Sequence, residues 1–218
     1  MKMKPRISVL TGVYNGELFL KETINSVLNQ TFKDFEYIIV DDGSTDNTKE
    51  IIESYKDKRI KYFYAGENKG FFNYNKAVNL GLKKCKGKYI ARLDADDICY
   101  KNRLEVQYNC LERNKDIFLI GCSADIINVD GIKISSIIKK ELPSFILKSR
   151  IAFSNPFIHS SIMFRNEGFK YKTYREDIFY YDLFTKGKKL VNIKDILVQY
   201  RINPYGMISS KIGERENE

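Results

Sequence analysis

The feature that most constrains the fold is an alternation, through the first half of the chain, of short apolar runs with stretches of helical periodicity. The runs ISVL (Ile7 to Leu10) and YIIV (Tyr37 to Val40) are almost continuously apolar, which is typical of strands buried on both faces. Two weaker runs and two helical stretches complete the alternation: KYFY (Lys61 to Tyr64), KYIARL (Lys88 to Leu93), and residues 20–28 and 48–55. Strand–helix units in this order predict a parallel sheet with right-handed crossovers.

Polar clusters follow three of these strands: Thr11 to Asn15, Asp41 to Asp46, and Asp94 to Asp97. Ligands of parallel sheets bind beyond the carboxyl ends of the strands, so these clusters predict the site. Packing like charges together costs energy unless a cation or hydrogen-bond donors compensate it. Capping of the next helix explains part of the second cluster but not its adjacent Asp41 and Asp42. The third cluster indicates a hard-cation site with oxygen ligands, and a plain solvated loop is the alternative.

Charge, cysteine content and missing motifs exclude several classes of protein. The 218 residues carry 37 Lys and Arg against 28 Asp and Glu, and the net charge of +9 suits polyphosphate ligands, an anionic membrane surface or nucleic acid. No apolar stretch reaches the length of a membrane span, and the first residues do not resemble a secretory signal. Scattered cysteines and a single histidine argue against structural zinc and favour a reducing cytosol. The sequence lacks the P-loop and the GxGxxG motif.

The strict alternation ends after Asp97. Apolar residues at i, i+4 and i+7 predict a helix over 104–111, and a strand follows near Ile117 to Cys122. Asp130-Gly131 predicts a hairpin turn, and the basic segment 139–154 is expected to form a helix and a loop over an acceptor groove. Residues 1–97 and 98–218 are therefore expected to form two lobes of one domain that share a continuous sheet.

Four sequence blocks in this order and spacing resemble the donor half of glycosyltransferase family 2: ISVLTGVYNG, YIIVDDGSTD, ENKG and GKYIARLDADD. A weaker resemblance continues through NPFIHSSIMFR, YREDIFYYDLF and VQYRIN. The resemblance implies the GT-A fold, a three-layer α/β/α sandwich around a mostly parallel Rossmann-like sheet. It also implies inversion at the anomeric centre and a nucleotide-diphospho-sugar donor, with a UDP-sugar favoured.

The resemblance implies that the first loop holds the nucleotide base and ribose: Thr11, Gly12, Val13, Tyr14 and Asn15. It further implies that Asp42, or its neighbour Asp41, accepts a hydrogen bond from the uracil imide N–H. Family members often carry an Arg-Asn pair after the N-x-G of ENKG, and here Asn75 stands at the arginine position. The adjacent Lys76 is expected to supply the positive charge, although without a guanidinium fork.

Asp94, Ala95 and Asp96 match the DxD motif of the family. The similarity implies that Asp96 ligates Mn²⁺ or Mg²⁺ bridging the donor diphosphate, and that Asp94 faces the ribose, with Ala95 in the donor site between them. A metal so placed neutralises the charge that builds on the leaving UDP.

The acceptor side is assigned from the weaker blocks. An inverting transfer needs a base on the acceptor hydroxyl, and the family resemblance assigns it to the Glu176-Asp177 pair. Asp177 is the first choice, with Glu176 and Asp182 as rivals. His159 is either a structural residue or a ligand of the acceptor or donor phosphate. Arg201 either reaches the diphosphate or is ordinary surface charge.

The sequence thus predicts a metal-dependent hexosyltransferase that acts on a hydroxyl of a glycan or lipid-linked acceptor, in surface polysaccharide biosynthesis. The expected location is the cytoplasm, with weak peripheral association with the inner face of the membrane. A non-catalytic partner subunit of the same fold is the alternative, and the intact DxD motif argues against it. Nucleic-acid binding is not expected, because the chain lacks an interleaved stripe of basic and aromatic residues.

Overall fold

The structure, a computed structural model, describes residues 4–67, 74–151, 154–173 and 175–204. Most of the ENKG block, residues 71–73 and Tyr174 lie outside the described residues. The described residues form these elements, in chain order: β1 (Ile7–Val13), α1 (Leu20–Leu28), β2 (Phe35–Asp41), α2 (Thr48–Ser54), β3 (Ile60–Tyr64), α3 (Tyr74–Lys84), β4 (Tyr89–Arg92), β5 (Ile98–Cys99), α4 (Arg103–Arg113), β6 (Ile117–Ile127), β7 (Lys133–Ile137), α5 (Ser144–Arg150), β8 (Met163–Arg165), α6 (Glu176–Thr185) and β9 (Lys189–Arg201). A short 3₁₀ helix, His159–Ser161, precedes β8.

The described strands form one mixed sheet in the order β3-β2-β1-β4-β8-β6-β9-β5, and β7 pairs with the far end of β6. β1, β2, β3 and β4 are mutually parallel, whereas β8 runs antiparallel to both β4 and β6. The predicted parallel α/β core is therefore confirmed. The strands β6, β8 and β9, which follow residue 98, hydrogen-bond within the same sheet as β1 to β4.

Two apolar layers cover the two faces of the sheet because successive strand residues point in opposite directions. In β2, Ile38 and Val40 pack with α3 and α6, whereas Tyr37 and Ile39 pack with α1, α2 and α4. Helices on both faces of the sheet give the three-layer arrangement that the family resemblance implies.

Helix α3 lies unusually close to the sheet at Gly81. A Cβ atom built on this glycine would stand 2.3 Å from Leu10 Cδ1 and 2.9 Å from Val40 Cγ2. A side chain at this position would therefore push α3 away from β1 and β2. These two strands carry the segments that form the donor side of the predicted site.

The second half also matches its sequence pattern. β6 and β7 form the predicted hairpin, and Gly131 in its turn has a φ of +78°. Helix α5 occupies the segment where a helix and a loop are predicted. In the described ranges, no helix combines the length and the apolar character that crossing a bilayer requires.

Candidate active site

The site lies at the carboxyl ends of three neighbouring parallel strands. β1 has β2 on one side and β4 on the other, and Val13 pairs with Asp41 while Leu10 pairs with Arg92. The segments that follow β1, β2 and β4 consequently leave the sheet at the same edge. This edge brings together the three polar clusters of the sequence.

β1 extends further than the sequence predicts, and this changes the expected nucleotide loop. Thr11, Gly12 and Val13 are buried strand residues, because the parallel ladder to β2 continues as far as Val13. The Thr11 hydroxyl lies 3.0 Å from the Tyr37 hydroxyl inside the protein. The Thr11 side chain is therefore part of the core, and of the five residues predicted for the loop only Tyr14 and Asn15 are exposed.

Asn15 joins the loop after β1 to the loop after β2. It adopts a positive φ of 50°, a conformation that asparagine tolerates better than most residues. Its backbone N–H donates to Ser44 Oγ at 2.9 Å, and its side-chain oxygen accepts from the Thr45 N–H at 2.8 Å. The Asn15 side chain thus shapes the two loops, while Tyr14, 43% exposed, is the aromatic residue that this turn presents to solvent.

The two adjacent carboxylates after β2 differ in their surroundings. Asp41 is buried, and its two oxygens accept hydrogen bonds from the Ser44 N–H at 2.8 Å and from the Tyr62 hydroxyl at 3.0 Å. Asp42 is also buried, and its backbone N–H donates to the Val13 carbonyl at 2.8 Å. Both oxygens of Asp41 hold the turn and β3, and the assignment of the nucleotide acceptor to Asp42 or Asp41 stays a prediction.

The acidic loop after β4 is held by polar side chains from distant elements. The single hydroxyl hydrogen of Thr23 in α1 is shared between the Ala95 and Asp97 carbonyl oxygens, which lie 2.8 and 2.9 Å from Thr23 Oγ1. The Asp94 N–H donates to Ser160 Oγ at 2.8 Å. These contacts fix the backbone of the DxD loop, so the positions of its carboxylates do not depend on a flexible segment.

The carboxylates of this loop repel one another. Burial, and then the charge of Asp96, raise the pKa of Asp94 against the opposing effect of Arg92. Burial and the charges of Asp96 and Asp94 raise the pKa of Asp97 well above its usual range. In the described part of the chain, Asp97 Oδ2 is buried without a hydrogen-bond partner. A divalent cation beside Asp96 would relieve this repulsion, so the loop fits the metal that the DxD motif implies.

The described residues contain no group of three or more carboxylate, imidazole or thiolate side chains that together form a metal site. Mg²⁺-type sites in phosphate-handling enzymes use one or two carboxylates and complete their coordination with substrate phosphates. Asp96 Oδ2 accepts from Asn203 Nδ2 at 3.1 Å, which orients the carboxylate.

Arg201 does not fit the predicted role of reaching the diphosphate. Its Nε donates to the Asp96 carbonyl at 2.9 Å and its Nη1 to the Val129 carbonyl at 2.7 Å. Its Nη2 donates to Glu22 at 2.7 Å, and its backbone N–H donates to Asp97 Oδ1 at 2.8 Å. It is not surface charge either, because the residue is buried. Its guanidinium is used to anchor the DxD loop to α1 and to the β6–β7 turn.

A buried arginine and the single histidine connect Asp94 to the acceptor side. Arg92 donates to Asp94 Oδ1 at 3.1 Å, to the Leu10 carbonyl at 3.0 Å and to His159 Nε2 at 3.4 Å. Because a guanidinium only donates, His159 Nε2 must accept, and the proton lies on Nδ1, 2.9 Å from the Tyr180 hydroxyl. Burial and the charge of Arg92 lower the pKa of His159 well below its usual range. The contacts of His159 with Arg92 and Tyr180, and its lowered pKa, favour the structural alternative over binding of a phosphate as a cation.

The three candidate bases occupy different environments. Glu176 Oε2 accepts from Asn155 Nδ2 at 3.1 Å, and Glu176 Oε1 lies 3.7 Å from His159 Nδ1. Desolvation, and then the charge of Asp94, raise the pKa of Glu176 to about 8. Asp177 instead forms an ion pair with Arg175 at 2.6 Å, which lowers its pKa. The sequence places Asp177 first among the candidate bases. The geometry instead favours Glu176, whose carboxylate interacts with the charge of Asp94.

Asp182, the other rival, lies on a further face of α6. It forms ion pairs with Lys172 at 2.6 Å and with Lys186 at 2.8 Å, and these hydrogen bonds lower its pKa. Adjacent helix residues point about 100° apart, so only one member of the Glu176-Asp177 pair faces the site.

Lys76 lies in the first turn of α3, with its side chain exposed. Its Nζ stands 3.8 Å from the position that a Cβ on Gly66, just beyond β3, would occupy. The ammonium group therefore lies near the strand ends of the donor side.

Sequence reasoning missed the residues that support the site, above all Arg92, Tyr180 and Asn155. One signal for Arg92 was present. An arginine inside a buried strand run, two residues before an acidic motif, is costly to bury unless it is paired. No comparable signal marks Tyr180 or Asn155, because their roles depend on contacts between distant segments.

Comparison with known proteins identifies the family of this chain. The family model described as "Glycosyl transferase family 2" matches residues 8–175. An uncharacterized glycosyltransferase of Haemophilus influenzae is 33% identical over 100% of this chain and 72% of its own length. One of Methanocaldococcus jannaschii is 36% identical over 91% of this chain and 71% of its own length.

Among solved structures, S. aureus TarS is similar in fold. Its complex with UDP matches with a TM-score of 0.72 at 23% identity and covers 93% of this chain. Its complex with UDP-GlcNAc matches with a TM-score of 0.73 at 22% identity and covers 95% of this chain. The chain spans 61% of the length of these TarS chains. The resemblance to the GT-A fold is thereby confirmed, and the chain belongs to glycosyltransferase family 2.

Proposed function

We propose that the protein transfers a sugar from a UDP-sugar, with inversion at the anomeric carbon, to a hydroxyl of a glycan or lipid-linked acceptor in surface polysaccharide biosynthesis. Family membership supports sugar transfer, and the UDP and UDP-GlcNAc complexes of TarS support the class of donor. The observation that carries the proposal is the meeting, at one edge of the sheet, of the segment after β2, the acidic loop after β4 and the carboxylate of Glu176.

In this proposal the donor nucleotide lies across the ends of β1 and β2. Asp42 accepts from the imide N–H of uracil, and the exposed ring of Tyr14 packs against the base. Lys76 contributes positive charge on the same side. Asp94, which Arg92 orients, faces the ribose.

Asp96 holds Mn²⁺ or Mg²⁺ in this proposal. The metal, when bound, neutralises charge on the leaving diphosphate. The contacts of Thr23, Asn203 and Arg201 keep the Asp96 segment in place before the donor arrives. A preorganised carboxylate of this kind does not have to be ordered during the reaction.

Glu176 acts as the general base in the proposed transfer. Its carboxylate takes the proton of the acceptor hydroxyl while the hydroxyl oxygen attacks the anomeric carbon from the face opposite the diphosphate. The bond from that carbon to the diphosphate oxygen breaks, and its electron pair leaves with UDP. A base with a pKa near the working pH is well suited to this step, and Glu176 meets that condition.

Binding of UDP with and without Mn²⁺ tests the donor site directly. At a hundredfold excess over Kd, UDP with Mn²⁺ should stabilise the fold by roughly 2–3 kcal/mol. At this chain length, about 1 kcal/mol raises Tm by ~2–4 °C. Asp96→Asn should remove the metal-dependent part of the shift, and Asp130→Asn, in the β6–β7 turn, should leave it intact. Equal shifts with and without Mn²⁺, or no shift, would contradict the proposal.

We also propose that the protein acts in the cytoplasm, where it associates weakly with the inner face of the membrane and meets lipid-linked acceptors. The net charge of +9 supports attraction to an anionic surface.

A further inference from the structure

A cavity of about 320 Å³ opens beside the candidate active site, and the donor site proposed above does not use it. It lies between the segment after β7, helix α5 and β9. One part of its wall is apolar, with Ile138, Leu142 and Leu147, and another part is cationic, with Lys139, Lys140 and Arg150. The volume is at the lower end of the range that small-molecule sites occupy.

The cationic part of the wall lacks a compensating charge. Lys139 and Arg150 form no ion pair among the residues that the structure describes. Burial, and then the charge of Arg150, lower the pKa of Lys139. The neighbouring Glu141 is exposed and does not line the cavity. Basic side chains that line a cavity without a paired carboxylate attract an anion.

The cavity is adjacent to the proposed base. Asn155 lines the cavity, and its Nδ2 donates to Glu176 Oε2 at 3.1 Å. A ligand in the cavity therefore lies next to the residue that donates a hydrogen bond to Glu176. None of the carboxylates assigned to the donor site lines the cavity, so the cavity is distinct from the site proposed for the donor diphosphate.

We propose that this cavity binds a phosphate group of the acceptor, with Lys139 and Arg150 as its charged ligands. The proposal rests on the proposed function and specifies its acceptor as a phosphate ester. The phosphate comes either from a lipid-linked acceptor, whose hydrocarbon chain contacts Ile138, Leu142 and Leu147, or from a polyol phosphate within a glycan. Both sources present the same anion to the same two side chains.

Calorimetric titration with hexyl phosphate and with glycerol 1-phosphate tests the proposal. Both titrations are made with UDP and Mn²⁺ at saturation, so that the donor site is filled. At least one ester should bind, and Lys139→Gln and Arg150→Gln should each weaken it by about tenfold, because each removes one charge-assisted hydrogen bond. Lys148→Gln is the matched control, since Lys148 lies on the same helix but does not line the cavity.

The ratio of the two affinities identifies the source of the phosphate. Tighter binding of hexyl phosphate supports a lipid acceptor, and equal or tighter binding of glycerol 1-phosphate supports a polyol phosphate. No saturable binding of either ester, or binding that neither Lys139→Gln nor Arg150→Gln weakens, would overturn the proposal.

Binding of UDP with Mn²⁺ to each variant distinguishes a failure of the proposed function from a failure of the proposed phosphate site. Unchanged UDP binding shows that a variant is folded and that only the phosphate site is altered. If the unaltered protein fails to bind UDP, the proposed function fails. If it binds UDP but neither ester, only the acceptor inference fails.

Discussion

Replacement of Glu176 by glutamine tests the central assignment of the site. Glu176 contacts Asn155 and lies near His159, whereas the adjacent Asp177 is paired with Arg175. Loss of a general base costs ~10²–10⁴-fold in rate. We expect Glu176→Gln to lose that much of the rate of UDP release from its UDP-sugar donor, and Asp177→Asn to keep most of it. Neither variant should alter the affinity for UDP, because neither side chain is assigned to the nucleotide.

The pH dependence follows from the surroundings of Glu176. Its pKa of about 8 means that about one tenth of the protein has an ionised Glu176 at pH 7. Since the base must be ionised, kcat/KM should rise about tenfold per pH unit below that pKa and level off above it. UDP release measured from pH 6 to pH 9.5 checks this.

The same pKa predicts a change in stability. The folded protein holds the Glu176 proton up to about pH 8, whereas an unperturbed glutamate has a pKa of 4.5. Between these values the folded state binds more protons than the unfolded state, so this group makes stability fall as pH rises. Glu176→Gln removes that contribution, and its Tm should therefore exceed that of the unaltered protein at pH 9.

Two results would contradict the assignment of Glu176 as the general base. One is a kcat/KM that does not change between pH 6 and pH 8. The other is an Asp177→Asn variant that loses transfer while Glu176→Gln retains it. The second result would mean that α6 is rotated relative to the sheet in the active protein.

Three further predictions concern the scaffold and its charge. Arg92→Met should destabilise the protein by about 3 kcal/mol in urea titrations, because it leaves Asp94 without its buried partner; an unchanged midpoint would show that the pair is dispensable. Gly81→Ala should cost about 1–3 kcal/mol, since its Cβ would stand 2.3 Å from Leu10, and the exposed control Lys83→Ala should stay within about 0.5 kcal/mol. The protein should co-sediment with anionic vesicles at low salt and dissociate at high salt, because each basic residue near the surface contributes about 1 kcal/mol; binding that persists at high salt would argue against an electrostatic association.

Local patterns in the sequence predict most of the fold. The nearly continuous apolar runs of β1 and β2 mark strands buried on both faces, and this information lies within each segment. The position of the DxD loop follows from the same logic, because a motif directly after a parallel strand must lie at the carboxyl edge of the sheet. The length of β1 is not predicted, since its ladder to β2 continues through a glycine and a buried threonine.

The direction in which each polar side chain points follows from tertiary packing and not from the local sequence. Helix α6 begins with Glu176-Asp177 and is apolar on most sides, so its sequence does not indicate which carboxylate points inward. Packing of Phe179, Tyr180 and Leu183 against the sheet sets its rotation. The same is true of Arg201, whose sequence position suits a phosphate ligand but whose donors are used within the protein. A local pattern specifies periodicity, whereas the direction of one polar side chain depends on partners far away in the sequence, which only the folded chain brings together.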